Sequence, residues 1–273
     1  MLYRDFGRMD GPVVLFGGAY SNYQATEALF EAAGDLQAVS TGDLVAYCAN
    51  PVETVARFAE HEPCVGIAGN CERQVVDGAE DCGCGFEDGT ACDFLSRGWY
   101  GYLRETLTDD AVRTLAALPE IGSFIHKEKR YAVIHGGATA INRFVWPSSS
   151  EAVFEREIAA TEAILGPIDG LVAGHCGIAF QRMIGRHHWI NPGAIGLPPH
   201  DGRPETRYGV LDGGEVTFHR LRYDHAAART RMEEVGLTQG YQIALETSLW
   251  PSEDVLPPEL RRCYDYQSSA SGW

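Results

Sequence analysis

The sequence predicts an α/β fold in which parallel strands alternate with crossover helices. Short apolar runs at 12–16, 36–40 and 64–68 each end in a glycine-bearing polar turn. Amphipathic segments of helical period lie between those runs. The same order returns at 131–134, 151–165 and 170–173. A chain that repeats strand, loop and helix builds a parallel sheet covered by helices.

The elements follow in order. Pro12-Val13-Val14-Leu15-Phe16 is a buried strand stopped by Gly17-Gly18. Residues 24–33 form a helix ended by Gly34, and 36–40 a strand ending at Thr41-Gly42-Asp43. Pro51 opens a helix over 51–60, at a position where its missing N–H is not needed. The strand at 64–68 runs into Gly69-Asn70-Cys71. Residues 77–92, rich in Gly, Asp, Glu and Cys, read as an inserted loop, and 95–117 as one helix. The strand at 131–134 ends at His135-Gly136-Gly137, and the one at 170–173 ends at Gly174-His175. Residues 188–191, 207–211 and 215–221 are expected to be short antiparallel strands, with a helical tail from 224 to about 248. This gives a domain over 1–222 with a Cys-rich insertion at about 72–94, and a helical extension over 223–273 packed on it.

Composition narrows the function. The formal net charge is −16, from 22 basic and 38 acidic residues. That balance disfavours a nucleic-acid surface, which depends on Lys and Arg neutralising phosphates. It leaves room for a small phosphorylated ligand if a metal ion supplies local positive charge. No apolar run reaches the length of a membrane helix, and no signal-like segment opens the chain, so a cytoplasmic location is expected. Eight cysteines in a reducing compartment point to metal ligation or redox chemistry before disulfides.

Asp43, Asn70, His135 and His175 each fall just past a strand end. In open α/β sheets such positions converge on the ligand site. The runs around them, Gly42-Asp43, Gly69-Asn70-Cys71-Glu72, His135-Gly136 and Gly174-His175, stand in the order of the calcineurin-like metallophosphoesterase blocks. Asn191-Pro192-Gly193-Ala194-Ile195-Gly196 is similar to a stretch of the small bacterial and archaeal phosphodiesterase branch. Over about residues 13–222 the chain resembles that superfamily. The resemblance implies a four-layer α/β/β/α sandwich. It also implies a two-metal site in which paired ions clamp the attacking and departing oxygens.

Two blocks depart from the pattern. Where the first should carry Asp and His, the chain has Gly18 and Tyr20, and where the fifth should end in His it has Gly177. By the resemblance, these are the private ligands of one metal. The set of the other, Asp43, Asn70, His135 and His175, is complete. One divalent ion per chain is therefore expected, Zn, Mn or Fe, which suit a carboxylate, an amide oxygen and two imidazoles. Asp43, Asn70 and His135 would take the catalytic roles, with bound water as nucleophile. Asn142 and Arg143 are candidates for contacting phosphate.

The cysteines form a second candidate constellation. Cys71, Cys82, Cys84 and Cys92 lie within 22 residues, and Cys48 and Cys176 fall in site loops. They could close a thiol site beside the vacated position, whereas Cys64 reads as a core residue and Cys263 has no evident partner. Trp250 is expected to pin the tail to the domain or to a second copy of the chain, so a homo-oligomer stays open. The leading function is a metal-dependent phosphoesterase acting on a small phosphodiester or phosphomonoester. The alternatives are an inactive binding protein of the same fold and a thiol-ligated metal or redox protein.

Overall fold

The computed structural model describes residues 2–85 and 89–262. Two sheets stack face to face. The first runs in the order β11 (Glu215–Leu221), β10 (Thr206–Asp212), β2 (Val13–Phe16), β3 (Gln37–Ser40), β4 (Cys64–Gly66). The second runs β1 (Tyr3–Arg8), β5 (Ile121–His126), β6 (Lys129–Ile134), β7 (Gly170–Ala173), β9 (His187–Pro192), β8 (Ala179–Ile184). Helices α1 (Tyr23–Ala33), α2 (Pro51–Glu60), α3 (Asn70–Val76), α4 (Ala91–Thr106), α5 (Asp109–Ala116), α6 (Glu151–Leu165), α7 (His225–Glu234) and α8 (Tyr241–Thr247) complete the described architecture with a short 3-10 turn at Pro258–Leu260.

Strand periodicity accounts for the layers. Val13 and Leu15 of β2 point between the sheets, where they meet Tyr131 and Val133 of β6 and Val172 of β7. Val14 and Phe16 point the other way, into the cluster that holds α1, α2, α4, α5, α7 and α8. Ala132 and Ile134 of β6 and Leu171 and Ala173 of β7 face Phe154 and Ile158 of α6. Both sheets are thus buried on two sides, which is why their central strands read as unbroken apolar runs. The order of layers is helix, sheet, sheet, helix, the sandwich expected from the resemblance.

Several elements differ from expectation. The helix expected over 95–117 is two, because Leu107 is extended and Thr108 caps α5 through its side chain. The tail helix is also two, α7 and α8, separated by Gly236 and Gly240 in left-handed conformations. The strand at 187–192 pairs parallel with β7 and antiparallel only with β8. Strands β1, β5 and β8 carry no apolar run. β1 is an exposed edge of mostly polar residues, and β5 interleaves Gly and Ser with its hydrophobes. Cys263 lies outside the described residues.

Candidate metal centre

Four strand ends deliver four side chains to one point. Asp43 follows β3, Asn70 opens α3 just after β4, His135 follows β6 and His175 follows β7. Asp43 and His175 are both left-handed, at φ 55° and 65°, a conformation that costs a non-glycine residue and concentrates at functional sites.

The geometry sets the roles of the His135 nitrogens. Nδ1 donates to the Thr41 carbonyl at 2.7 Å. Nε2 therefore turns inward, to Asn70 Oδ1 at 3.0 Å, His175 Nδ1 at 3.1 Å and Asp43 Oδ2 at 3.2 Å. The Asn70 amide is oriented by donation from Nδ2 to the Cys82 carbonyl at 2.9 Å, which leaves Oδ1 facing the centre. Asp43, His135 and His175 offer ligand atoms within 4.8 Å of one another, a candidate metal-binding group. A single proton on Nε2 can satisfy only one of its acceptors, whereas a cation can accept all four lone pairs. The donor set thus fits a divalent ion.

The ionisation states agree with that crowding. Burial alone would raise Asp43, but the His135 charge outweighs it and holds the carboxyl low. Burial alone would lower His135, but Asp43 raises it above the ordinary value. His175 is pushed down to about 3, first by burial and then by repulsion from His135. These shifts favour a charged His135 beside an ionised Asp43, with His175 neutral.

Glu72 is the organising residue that the motif contains but whose work its spacing did not reveal. Its fully buried carboxylate accepts from Asp43 N at 2.8 Å, Gly69 N at 2.7 Å and Val45 N at 3.1 Å. It thereby ties the Asp43 loop to the start of α3. Burial, then the neighbouring Asp43, raises its carboxyl to about 7. Gly69 must be glycine for the same close approach, because a Cβ there would lie 2.1 Å from Asp43 Oδ1. Asn191 secures the His175 loop, donating to the Gly174 carbonyl at 2.8 Å.

A metallophosphoesterase from Sphaerobacter thermophilus superposes on 88% of this chain and over 100% of its own, with TM-score 0.69 at 20% identity. The chain has the calcineurin-like metallophosphoesterase fold. A hypothetical protein from Pyrococcus horikoshii aligns over 86% of this chain and 98% of its own, with TM-score 0.70 and 15% identity. A cold-active protein-tyrosine phosphatase of a psychrophilic Shewanella covers 80% of this chain and 82% of its own, with TM-score 0.50 and 12% identity. No protein-family model matches the chain, and no curated protein sequence does.

Within this metallophosphoesterase fold the altered half of the site is filled by Tyr20. Its ring lies against Gly18, where an added Cβ would sit 2.3 Å from Tyr20 Cζ. Its hydroxyl reaches the other end of the gap, 3.8 Å from a Cβ built on Gly177. One tyrosine thus spans two of the three altered positions and occupies the third. Tyr47 packs edge-on against its ring at 4.8 Å, and backbone bonds from Tyr20 N to Asp43 O and from Gly18 N to Gly42 O hold the loop.

A cavity of about 60 Å³ opens beside Asp43 and His175. Its walls are mainly aromatic: Tyr20, Tyr47, Phe144, Trp146, Tyr241 and Trp250. Trp250 belongs to the C-terminal segment, which is pinned from several directions. Trp250 Nε1 donates to Pro198 O and Trp250 N to His200 Nδ1, both at 2.8 Å, while His200 Nε2 donates to Glu253 at 2.6 Å. The tail tryptophan therefore pins the extension to the domain.

Two other groups of candidates lie around the centre, Asn142 with its backbone against His175. Arg143 Nε donates to Thr139 Oγ1 at 2.9 Å and lies 2.9 Å from the fully buried Glu157 carboxylate, an ion pair against α6. Asn142 donates to the Gly83 carbonyl at 3.0 Å and tethers the Cys-rich loop. The thiols divide. Cys71 and Cys82 lie beside Cys84, whose thiol donates to the Cys82 carbonyl at 3.8 Å, and Asn70 Nδ2 lies 3.6 Å and 3.4 Å from the Cys71 and Cys84 sulfurs. Cys92 instead bonds Ser252, Cys48 donates to the Gly196 carbonyl, and Cys176 donates to the Ile178 carbonyl. Among the described residues no cysteine belongs to a group of three metal-ligating side chains, and the described cysteines are free. Of the four thiols expected to form a site, Cys71, Cys82 and Cys84 lie together, while the helix start at Ala91 carries Cys92 toward Ser252 of the C-terminal segment.

Proposed function

We propose that this protein is a phosphoesterase working with one divalent metal ion held by Asp43, Asn70, His135 and His175. The observation that carries the reading is the convergence on His135 Nε2 of two oxygen acceptors and a second imidazole, with Nδ1 already committed to Thr41. When bound there, a divalent ion supplies Lewis-acid activation of water and of the phosphoryl group. The Thr41 carbonyl sets the His135 tautomer, as outer hydrogen bonds do for metal-ligating histidines. Cys82 O keeps the Asn70 oxygen turned inward, and Glu72 holds the Asp43 backbone in register. Tyr20 faces the cavity as a neutral phenol, since burial followed by the nearby Asp43 raises its pKa well above the ordinary value. It is suited to donate a hydrogen bond to a phosphoryl oxygen.

The test is metal content together with turnover. Purified protein should bind about one equivalent of Mn²⁺ or Zn²⁺ and hydrolyse bis-p-nitrophenyl phosphate. His135→Ala should lose both. A protein that takes up metal yet turns over no phosphate ester with any ion would instead be a binding protein of this fold. The tyrosine filling half of the site and the narrow cavity favour that second reading.

A further inference from the structure

The charge of the cavity limits what it can accept. No Lys or Arg lines it. Arg143, the cation expected to reach it, is spent on Glu157. The residues outside the described set include no Lys or Arg. Arg261 lines the adjoining pocket and turns its guanidinium to the Leu256 and Asp254 carbonyls, so within the cavity itself the source of positive charge is the metal of the preceding reading, on which this inference rests. Asp43 cancels one of its two charges, and Glu72 behind Asp43 cancels more wherever it is ionised. The centre therefore offers a net charge of at most one.

We propose that the site takes a monoanionic phosphodiester with small apolar ester groups, and rejects dianionic phosphomonoesters and polyphosphates. A dianion would leave at least one uncompensated charge among six aromatic side chains, and unpaired charge in such surroundings is strongly disfavoured. A phosphodiester carries a single charge and presents apolar arms to the rings. A cavity of about 60 Å³ matches a phosphate with short ester groups, since one water-sized group needs roughly 10–15 Å³ by this measure. The chain's net charge of −16 further disfavours approach of polyanions.

The test compares two ligands of similar size on the metal-loaded full chain, dimethyl phosphate and methyl phosphate. A phosphomonoester has a second pKa of about 6, so at about pH 8 methyl phosphate is a dianion. Titration calorimetry at that pH should show dimethyl phosphate binding at least about 30-fold tighter, a difference of about 2 kcal/mol. A metal ion alone would favour the dianion, so this order has to come from the cavity. Val255, half-buried in the cavity wall, provides a second measurement. Val255→Lys should narrow the ratio at least about tenfold by supplying the missing charge. Methyl phosphate binding as tightly as dimethyl phosphate, or neither ligand binding, overturns the proposal. So does an unchanged ratio in a metal-loaded, folded Val255→Lys protein. Failure to take up metal sinks the phosphoesterase reading as well. Hydrolysis with monoester preference sinks the charge selection alone.

Discussion

Glu72 acts on the centre through the backbone. Three buried N–H groups end on its carboxylate, and an unsatisfied buried donor costs about 1–3 kcal/mol. Glu72→Ala is therefore expected to lower stability by at least about 3 kcal/mol and to weaken metal binding by releasing the Asp43 loop. Glu72→Gln should restore part of the stability, because its amide oxygen can still accept. Urea unfolding with parallel metal titration checks both. The four candidate ligands were legible in the sequence because each follows an apolar strand and each stands in a recognisable block. Tyr20 was legible only as a missing histidine. That its ring fills the gap depends on left-handed backbone at Gly18, Tyr20 and Ser21, which no residue pattern announces. The ion-pair partner of Arg143 was not legible, because Glu157 lies on α6 and not in the local sequence.

At the scale of elements, the C-terminal segment is the feature that sets access. Trp250 closes one wall of the cavity, and Leu256 anchors the segment beyond it in the α6-side core. Trp250→Ala should enlarge the cavity and raise kcat/KM for the bulky bis-p-nitrophenyl phosphate by about tenfold, or about 1.4 kcal/mol of transition-state binding. A small diester should change far less. Steady-state kinetics on both substrates checks this, and equal effects on the two would argue against a steric role. The sheet's apolar centre could be read directly, since β2, β3, β6 and β7 are buried on both faces. The edge strands β1 and β8 could not. Their pairing comes from the neighbouring strand and not from their own hydrophobicity. The break at Leu107-Thr108 did leave a signal, a capping threonine followed by two aspartates, which the longer helical period obscured.

At the scale of the molecule, stability is tied to pH and to metal. His135 is held above its ordinary value in the folded state. Its contribution to the metal-free protein is thus complete below about pH 6.5 and is lost as pH rises through the folded pKa. Asp43 is held below its ordinary value, so its contribution is present above about pH 4 and disappears as pH falls through the folded value. A metal ion requires the neutral imidazole and releases the proton. Metal should therefore stabilise the protein more at about pH 8 than at about pH 6. At 100-fold excess over Kd the gain is about 2.7 kcal/mol, which for a chain of this size corresponds to about 5 °C in Tm. Thermal melts with and without Mn²⁺ at the two pH values check the direction. A metal-independent Tm at both would contradict it.

The contact between Tyr20 and Gly18 also restricts the order in which the site can change. An aspartate placed at position 18 alone would drive its Cβ into the tyrosine ring, on a backbone that disfavours side chains. A histidine at position 177 would likewise meet left-handed backbone, with the Tyr20 hydroxyl and the Trp250 ring just beyond its Cβ. Neither missing ligand can be reintroduced profitably until Tyr20 has been made smaller. The three positions are therefore coupled, and their separate effects should not add. Any route to restoring those ligands begins at residue 20, and the same steric order opposes their return by single substitutions.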